Sequence, residues 1–117
     1  MFYLRLSGEE IRSGGDDGQI RRWEIVRETE KAVLVKEHQT LLWNGEVDEE
    51  YESESWLPKA ALHEVPGTGF CWVESWALRG KNIHPLEAAT YETGTQGAEL
   101  AARQLAAIEA GKGTWRA

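Results

Sequence analysis

Residues 40–47, Thr-Leu-Leu-Trp-Asn-Gly-Glu-Val, carry the signal that decides the fold. The Asn44-Gly45 pair stands between strand-forming residues, and both positions tolerate the positive φ angles that a two-residue hairpin turn requires. The stretch therefore predicts a β-hairpin with its tip at Asn44 and Gly45. The returning strand carries the acidic run 46–54, Glu-Val-Asp-Glu-Glu-Tyr-Glu-Ser-Glu, and Pro58 ends this strand because proline cannot donate to a sheet ladder.

The alternation of side chains along a strand predicts that carboxylates collect on one face of this returning strand. The even-numbered positions that share this face are Glu46, Asp48, Glu50, Glu52 and Glu54. Such a face cannot belong to a core, so we expect the hairpin to project from the sheet or barrel that carries it.

Apolar and alternating stretches on both sides of the hairpin predict further strands. The runs 2–6, 20–26 and 32–35 have strand patterns, and a short polar link joins the last two into another hairpin. Phe-Cys-Trp-Val at residues 70–73 predicts a final short strand. Residues 1–74 are therefore expected to form one antiparallel β unit.

The rest of the chain predicts helices that pack on this unit. Short helices are expected over 76–79 and 85–91, and a longer one over 96–110, on the basis of capping residues, Pro85 and apolar spacing. The predicted fold class is therefore α+β. The whole chain forms a single domain, in which a helical segment over 75–111 and a tail over 112–117 follow the β unit.

Length and composition predict a small globular protein of the cytoplasm. The chain has 117 residues, and six Trp, three Tyr and two Phe supply bulk for a core. The single cysteine, Cys71, cannot form an internal disulfide, which is typical of reducing compartments. No apolar run approaches the length of a membrane span, and the chain does not open with a signal-peptide pattern.

The net charge of −7 argues against a general binder of nucleic-acid phosphates, and its distribution is uneven. Residues 46–64 hold one Lys and seven acids, whereas the flanking segments 1–45 and 65–117 are close to neutral. Charge runs are commonly a solvated strand or loop; the functional alternative is an acidic recognition surface for a basic partner.

Trp43 and Tyr51 favour the alternative, because a monomer gains little from large aromatics on a projecting hairpin. The predicted partner-binding residues are Trp43, Glu46, Asp48, Glu49, Glu50, Tyr51, Glu52 and Glu54.

Four further tryptophans have two interpretations. Trp23, Trp56, Trp72 and Trp76 occupy apolar positions, so packing in the core or against a helix is expected, and Trp56 is expected to close the core. The alternative is a partly open aromatic groove that holds a peptide, a methylated lysine or stacked bases.

No motif predicts catalysis, a cofactor or a metal. Four residues could be assembled into a zinc site, but they lack the short ligand-pair spacings of such sites. They are His63, Glu64, Cys71 and His84. The acidic run also fails as a calcium loop, because Ser53 stands where the loop needs glycine. We therefore expect a protein that is not an enzyme and binds neither a cofactor nor a metal.

Two short segments resemble small proteins of bacteriophages and mobile elements. They are Glu-Thr-Glu-Lys-Ala-Val-Leu-Val at 28–35 and Ser-Trp-Leu-Pro-Lys-Ala at 55–60. In those proteins the two motifs pair across a small SH3-like β-barrel, commonly followed by a Trp-containing helical segment such as 74–78 in this chain. The resemblance covers roughly residues 20–80 and implies an SH3-like barrel. This chain departs from the pattern in its long acidic arm and in Ala60, where those proteins usually have Ser.

These observations favour a phage-type binding protein whose acidic hairpin, residues 41–57, engages a basic surface of a host protein. If that surface normally holds nucleic acid, the chain would inhibit the host protein by imitating DNA charge, as anti-CRISPR or anti-restriction proteins can. The alternative is a nucleic-acid-binding accessory protein of phage replication or recombination. That alternative rests on the barrel resemblance and on five N-terminal arginines, Arg5, Arg12, Arg21, Arg22 and Arg27.

Overall fold

A computed structural model describes residues 2–65 and 69–87, which form two antiparallel β-sheets. The strands are β1 (Phe2–Arg5), β2 (Ile11–Ser13), β3 (Gln19–Glu28), β4 (Ala32–Trp43), β5 (Glu46–Pro58), β6 (Leu62–Glu64), β7 (Phe70–Val73) and β8 (Leu86–Glu87). Three short 3-10 helices lie between them: η1 (Gly15–Asp17), η2 (Lys59–Ala61) and η3 (Ser75–Leu78). The strand order is β6-β7-β1-β8 in sheet A and β2-β3-β4-β5 in sheet B. In this part of the chain, no helix has the length and apolar character that crossing a membrane requires.

Sheet B contains the three longest strands, β3, β4 and β5, together with the short β2. The turn between β4 and β5 confirms the predicted hairpin, since Asn44 has a φ of 51° and Gly45 a φ of 78°. Pairing then runs from Trp43 with Glu46 at the tip to Ala32 with Pro58 at the base. The predicted end of the strand at Pro58 is also confirmed.

One hydrophobic core joins the two sheets. Sheet B contributes Trp23, Val35 and Leu57, and β1 contributes Tyr3 and Leu4; all five are almost completely buried. Burying a side chain of this size contributes about 1.5–3 kcal/mol each. The core therefore depends on one face of sheet B, which leaves the other face to solvent.

The predicted α+β class and SH3-like barrel are wrong for the described residues, which are mostly β and form two sheets that do not close into a barrel. The predicted turn at 76–79 is the short η3. Of the helix predicted over 85–91, Leu86 and Glu87 form β8 instead, and residues 88–91 lie outside the described part of the chain. The reason is that the side of β1 opposite β7 offers them strand pairing, and Leu86 becomes buried there. The predicted helix over 96–110 and the tail lie outside the described residues.

The acidic hairpin does not project as a free arm. β3 pairs with β4 from Val33 to Leu41, so most of the hairpin belongs to sheet B. The short helix η1 holds the tip: Gly45 N donates to Asp16 O, and Asn44 N donates to Asp17 Oδ1, each at 2.9 Å. The acidic side chains are solvated without a projecting arm, because β5 lies at the edge of sheet B and its acids are exposed there.

Candidate partner-binding surface

The acidic strand β5 lies at the edge of sheet B, and this position explains its exposure. It pairs with β4 on one side only, and its side chains over residues 46–52, near the tip, are exposed. All eight predicted partner-binding residues are exposed, with Trp43 at 65% and Tyr51 at 51%. The structure therefore places these residues together on one continuous strand and the adjoining end of β4.

A β-bulge near the tip changes which carboxylates share a face. Leu41 pairs with Glu49 and Leu42 pairs with Val47, so Asp48 is an extra residue on β5. An extra residue reverses the alternation beyond it. The prediction that the even-numbered acids all share one face is therefore wrong, because Glu46 falls on the same face as Glu49 and opposite the even-numbered acids beyond the bulge. Those that do share the outer face are Glu50, Glu52 and Glu54.

In the middle of sheet B, the outer face balances its charges. His38 Nε2 lies 3.0 Å from Glu24 Oε1, and His38 Nδ1 lies 3.0 Å from Glu52 Oε1. Lys36 Nζ approaches Glu52 Oε2 at 3.5 Å. The hydrogen bond with His38 lowers the pKa of Glu24, and nearby cations, Arg22 first, act in the same direction. This part of the face is a cross-strand network of side-chain contacts around His38, joined by the ion pair between Lys36 and Glu52.

Towards the hairpin tip, the negative charge is not balanced. Within residues 2–65 and 69–87, no Lys, Arg or His forms an ion pair with the remaining predicted acids. They are Glu46, Asp48, Glu49, Glu50 and Glu54. Glu46, Asp48, Glu49 and Glu50 concentrate negative potential at the exposed end of β4 and β5, whereas Glu54 lies opposite Lys36, nearer the base of the hairpin.

Tyr51 lies within this negative potential. Its hydroxyl donates a hydrogen bond to Glu49, and this bond is the main cause of a raised pKa at Tyr51. Desolvation and the charges of Glu49 and Asp48 raise the pKa further. An aromatic ring held among carboxylates combines apolar contact area with attraction for cations.

A shallow depression of about 460 Å³ adjoins the acidic strand. Its lining residues are Glu10, Ile20, Arg22, His38, Gln39, Thr40, Glu50, Tyr51 and Glu52. Three acids, two basic residues and one aromatic ring suit a polar side chain of a partner better than an apolar ligand.

Trp23 is buried and Trp72 packs against the core, as predicted, whereas Trp56 and Trp76 differ from the prediction in their burial. Trp56 is 39% exposed on the outer face opposite Leu34, so the prediction that it closes the core is wrong. Its neighbour Leu57 occupies the core instead, because the alternation turns Leu57 inward beside Val33. Trp76 is 53% exposed. Of the four tryptophans predicted to pack in the core or against a helix, Trp23 is the one that is fully buried.

Glu37 is a buried polar residue that the sequence analysis did not single out. It is 2% exposed and accepts hydrogen bonds at 2.7 Å from Trp23 Nε1 and from the backbone N–H of His84. Its second oxygen lies 2.7 Å from His84 Nδ1. The sequence did carry a signal, because Glu37 follows Val33 and Val35 in the same alternating phase.

The arginines do not form a single basic stripe. Arg5 pairs with Glu9 at 3.0 Å and lies over the Phe70 ring. Arg21 faces the core side, where burial lowers its pKa and Nη1 donates to the carbonyls of His84 and Pro85. Arg22 lies on the opposite face of β3, next to His38 in register. Arg5, Arg21 and Arg22 therefore do not share one face of the fold.

Of the four residues that could form a zinc site, Glu64 and Cys71 are cross-strand partners on β6 and β7, but the four do not come together as one set. His63 Nε2 contacts Glu74 at 3.2 Å and its ring stacks on Trp72, whereas His84 lies beside Glu37. Among the described residues no group of three or more potential ligands is positioned for a metal. Burial raises the pKa of Cys71 to about 11, and its thiol donates to Leu4 O at 3.6 Å.

No family model, no curated protein and no solved structure matches this chain. The resemblance to phage proteins therefore stays a prediction. The candidate surface rests on the position of β5, on the exposure of its side chains and on their charge.

Proposed function

We propose that this chain is a binding protein without enzymatic activity, which engages a basic surface of a partner protein through β5 and the tip of the β4–β5 hairpin. The observation that carries the proposal is the set of five exposed carboxylates that have no cationic partner among the described residues. Unpaired surface charge of one sign steers association with a surface of opposite sign.

The aromatic residues support a binding role at the same place. Trp43 and Val47 are 65% and 59% exposed at the hairpin tip, and Tyr51 is half exposed further along β5. Aromatic residues of this kind act as anchors when a partner buries them, whereas surrounding charges act mainly on the rate of encounter and on specificity.

The partner class follows from the charge. A basic surface on a protein of the bacterial cytoplasm commonly holds nucleic acid, so we propose that the chain competes with nucleic acid for a host nucleoprotein, as phage-type inhibitors of defence systems do. A row of carboxylates along an extended strand offers the regular negative charge that such a surface accepts.

The test compares variants of equal net charge as affinity baits. The full chain, a triple variant in β5 (Glu49→Gln, Glu50→Gln, Glu54→Gln) and a triple variant elsewhere (Glu9→Gln, Glu30→Gln, Glu64→Gln) are each immobilised and exposed to bacterial lysate at low and high salt. All six positions are exposed, so the two triple variants differ in where the charge is lost.

We expect the wild type and the second variant to retain the same basic protein at low salt, and the β5 variant to lose it. Retention should weaken at high salt, because screening acts on exposed charges. Equal retention by both triple variants would contradict the proposal. A retained nucleoprotein is then assayed for DNA binding with and without the chain, and we expect the chain to displace the DNA.

A further inference from the structure

The outer edge of β5 is a strand edge that the described part of the chain leaves unpaired. β5 is the last strand of sheet B, and it spans 13 residues. From Glu49 to Pro58 it pairs with β4 without a register shift, so this stretch of its opposite edge is regular as well. An edge of this kind presents backbone N–H and C=O groups at alternate residues, which can pair with a further strand.

Proteins usually protect a long edge with proline, a bulge or charge. In β5 the proline is at the end, at Pro58, and the bulge is near the tip, at Asp48. Between these points every charged residue is a glutamate, and Ser53 Oγ donates a hydrogen bond to Asn82 O beside the strand. Charge of a single sign repels a like-charged strand, but it attracts a strand of opposite charge.

We infer that the edge of β5 accepts an extended, lysine- or arginine-rich segment of the partner as a fifth strand of sheet B. This inference rests on the proposed function and specifies the form in which the basic partner binds. Directly opposite side chains in neighbouring strands are about 5 Å apart at Cβ, so cationic residues at alternate positions would face Glu50, Glu52 and Glu54. A second copy of β5 is the wrong occupant, because pairing would place glutamates against glutamates.

The probe is a synthetic peptide in which lysine alternates with valine, together with two isomers that carry N-methyl groups on one or the other set of alternate amides. Methylation keeps the charge but removes the N–H donors from one edge of the peptide. Binding to the full chain is measured by calorimetric titration. Hydrogen exchange, read residue by residue by NMR, reports the amides of residues 49–57 in the free and the bound chain.

We expect the unmodified peptide to bind and to protect every second amide of β5, while the intervening amides are already protected by β4. One methylated isomer should lose roughly tenfold or more in affinity and the other should bind well, because main-chain hydrogen bonds supply affinity in strand addition. The β5 triple variant of the bait experiment should bind the peptide more weakly than its matched control.

Three outcomes would overturn the inference. If both methylated isomers bind like the parent peptide without new protection, the contact is electrostatic only, and the proposed function stands without strand addition. If no peptide binds although the bait experiment succeeds, the partner docks in another form. If the alternate amides are already protected in the free chain, another segment or a second copy occupies the edge, and sedimentation distinguishes these two.

Discussion

Trp23 Nε1 donates a hydrogen bond of 2.7 Å to Glu37 Oε2, and both side chains are buried on the core face of sheet B. The two residues are directly opposite each other on β3 and β4. The same oxygen of Glu37 accepts the backbone N–H of His84, so one carboxyl group connects two strands of sheet B with the segment that leads into β8 of sheet A. Because an unpaired buried polar group is costly, this carboxyl group stabilises the fold through the donors that it satisfies.

Replacement of Glu37 tests this role. Glu37→Leu keeps the bulk but leaves the Trp23 and His84 donors without an acceptor, and it should lower the free energy of unfolding by about 2–5 kcal/mol. Glu37→Gln keeps an oxygen for these donors and should cost less than half as much. Urea unfolding followed by tryptophan fluorescence gives both values. Equal losses for the two variants would show that hydrogen bonding is not the cause.

Trp23 and Trp56 should differ strongly in their contribution to stability. Trp23→Ala removes a fully buried indole and the donor to Glu37, so we expect a loss of about 3–5 kcal/mol. Trp56→Ala removes a side chain that is 39% exposed, and we expect a loss of about 1–2 kcal/mol from its buried part. Urea denaturation monitored by circular dichroism provides the comparison. A larger loss for Trp56→Ala than for Trp23→Ala would contradict the observed packing.

Trp43 and Tyr51 should matter for binding and little for folding. Because both rings are more than half exposed, Trp43→Ala and Tyr51→Ala should leave the melting temperature close to that of the wild type. Each should weaken binding of the partner by about 2 kcal/mol if the partner buries the ring. Thermal melts and titrations against the retained partner are measured on the same preparations. A drop in melting temperature comparable to that of Trp23→Ala would refute the surface role.

Cys71 should make the fold sensitive to alkaline pH. Burial raises the pKa of its thiol from 9.0 to about 11, so the folded chain holds this proton more tightly than the unfolded chain. The contribution of this thiol to the free energy of unfolding is therefore fully present below about pH 9. It decreases as the pH rises to about 11, and the total decrease is up to about 2–3 kcal/mol. The raised pKa of Tyr3, about 12, adds a similar loss at slightly higher pH.

The measurement is the free energy of unfolding at several pH values between 8 and 11, for the wild type and Cys71→Ala. The variant should be less stable at pH 8 because it leaves a small cavity, yet its stability should fall less steeply as the pH rises. Parallel curves would mean that the thiol titrates alike in both states. Slow alkylation of Cys71 in the folded chain is a second expected sign of the raised pKa.

The sequence predicted the parts of this fold that local chemistry determines. Asn44-Gly45 sets its own turn, Pro58 ends its own strand, and the charge of 46–54 keeps that strand at a solvated place. The strand conformation of Leu86 could not be predicted from local chemistry. Pro85 is compatible with a helix start, but the free side of β1, some 80 residues earlier in the chain, takes Leu86 into a strand.

For the candidate surface, the sequence predicted which residues are exposed but not how they are arranged. The bulge at Asp48 depends on how β5 pairs with β4, and it moves Glu46 to the other face. The register between β4 and β5 also decides that Leu57, and not Trp56, faces the core. Glu37 was not among the predicted core residues, because a glutamate is seldom buried unless other groups donate hydrogen bonds to it. Its donors come from β3 and from residue 84, which only the tertiary structure brings together.

The contact between η1 and the hairpin tip has a kinetic consequence. Asp16 and Asp17 fix the backbone of Gly45 and Asn44 before any partner arrives, so association does not have to order the tip and lose its conformational entropy. Charge steering can then act on a rigid target, and the association rate should depend on salt more than the dissociation rate does. Asp17→Ala and Asp17→Asn remove the same charge at the tip, but Asp17→Asn keeps an oxygen that can accept from Asn44 N, so the association rate should fall further for Asp17→Ala.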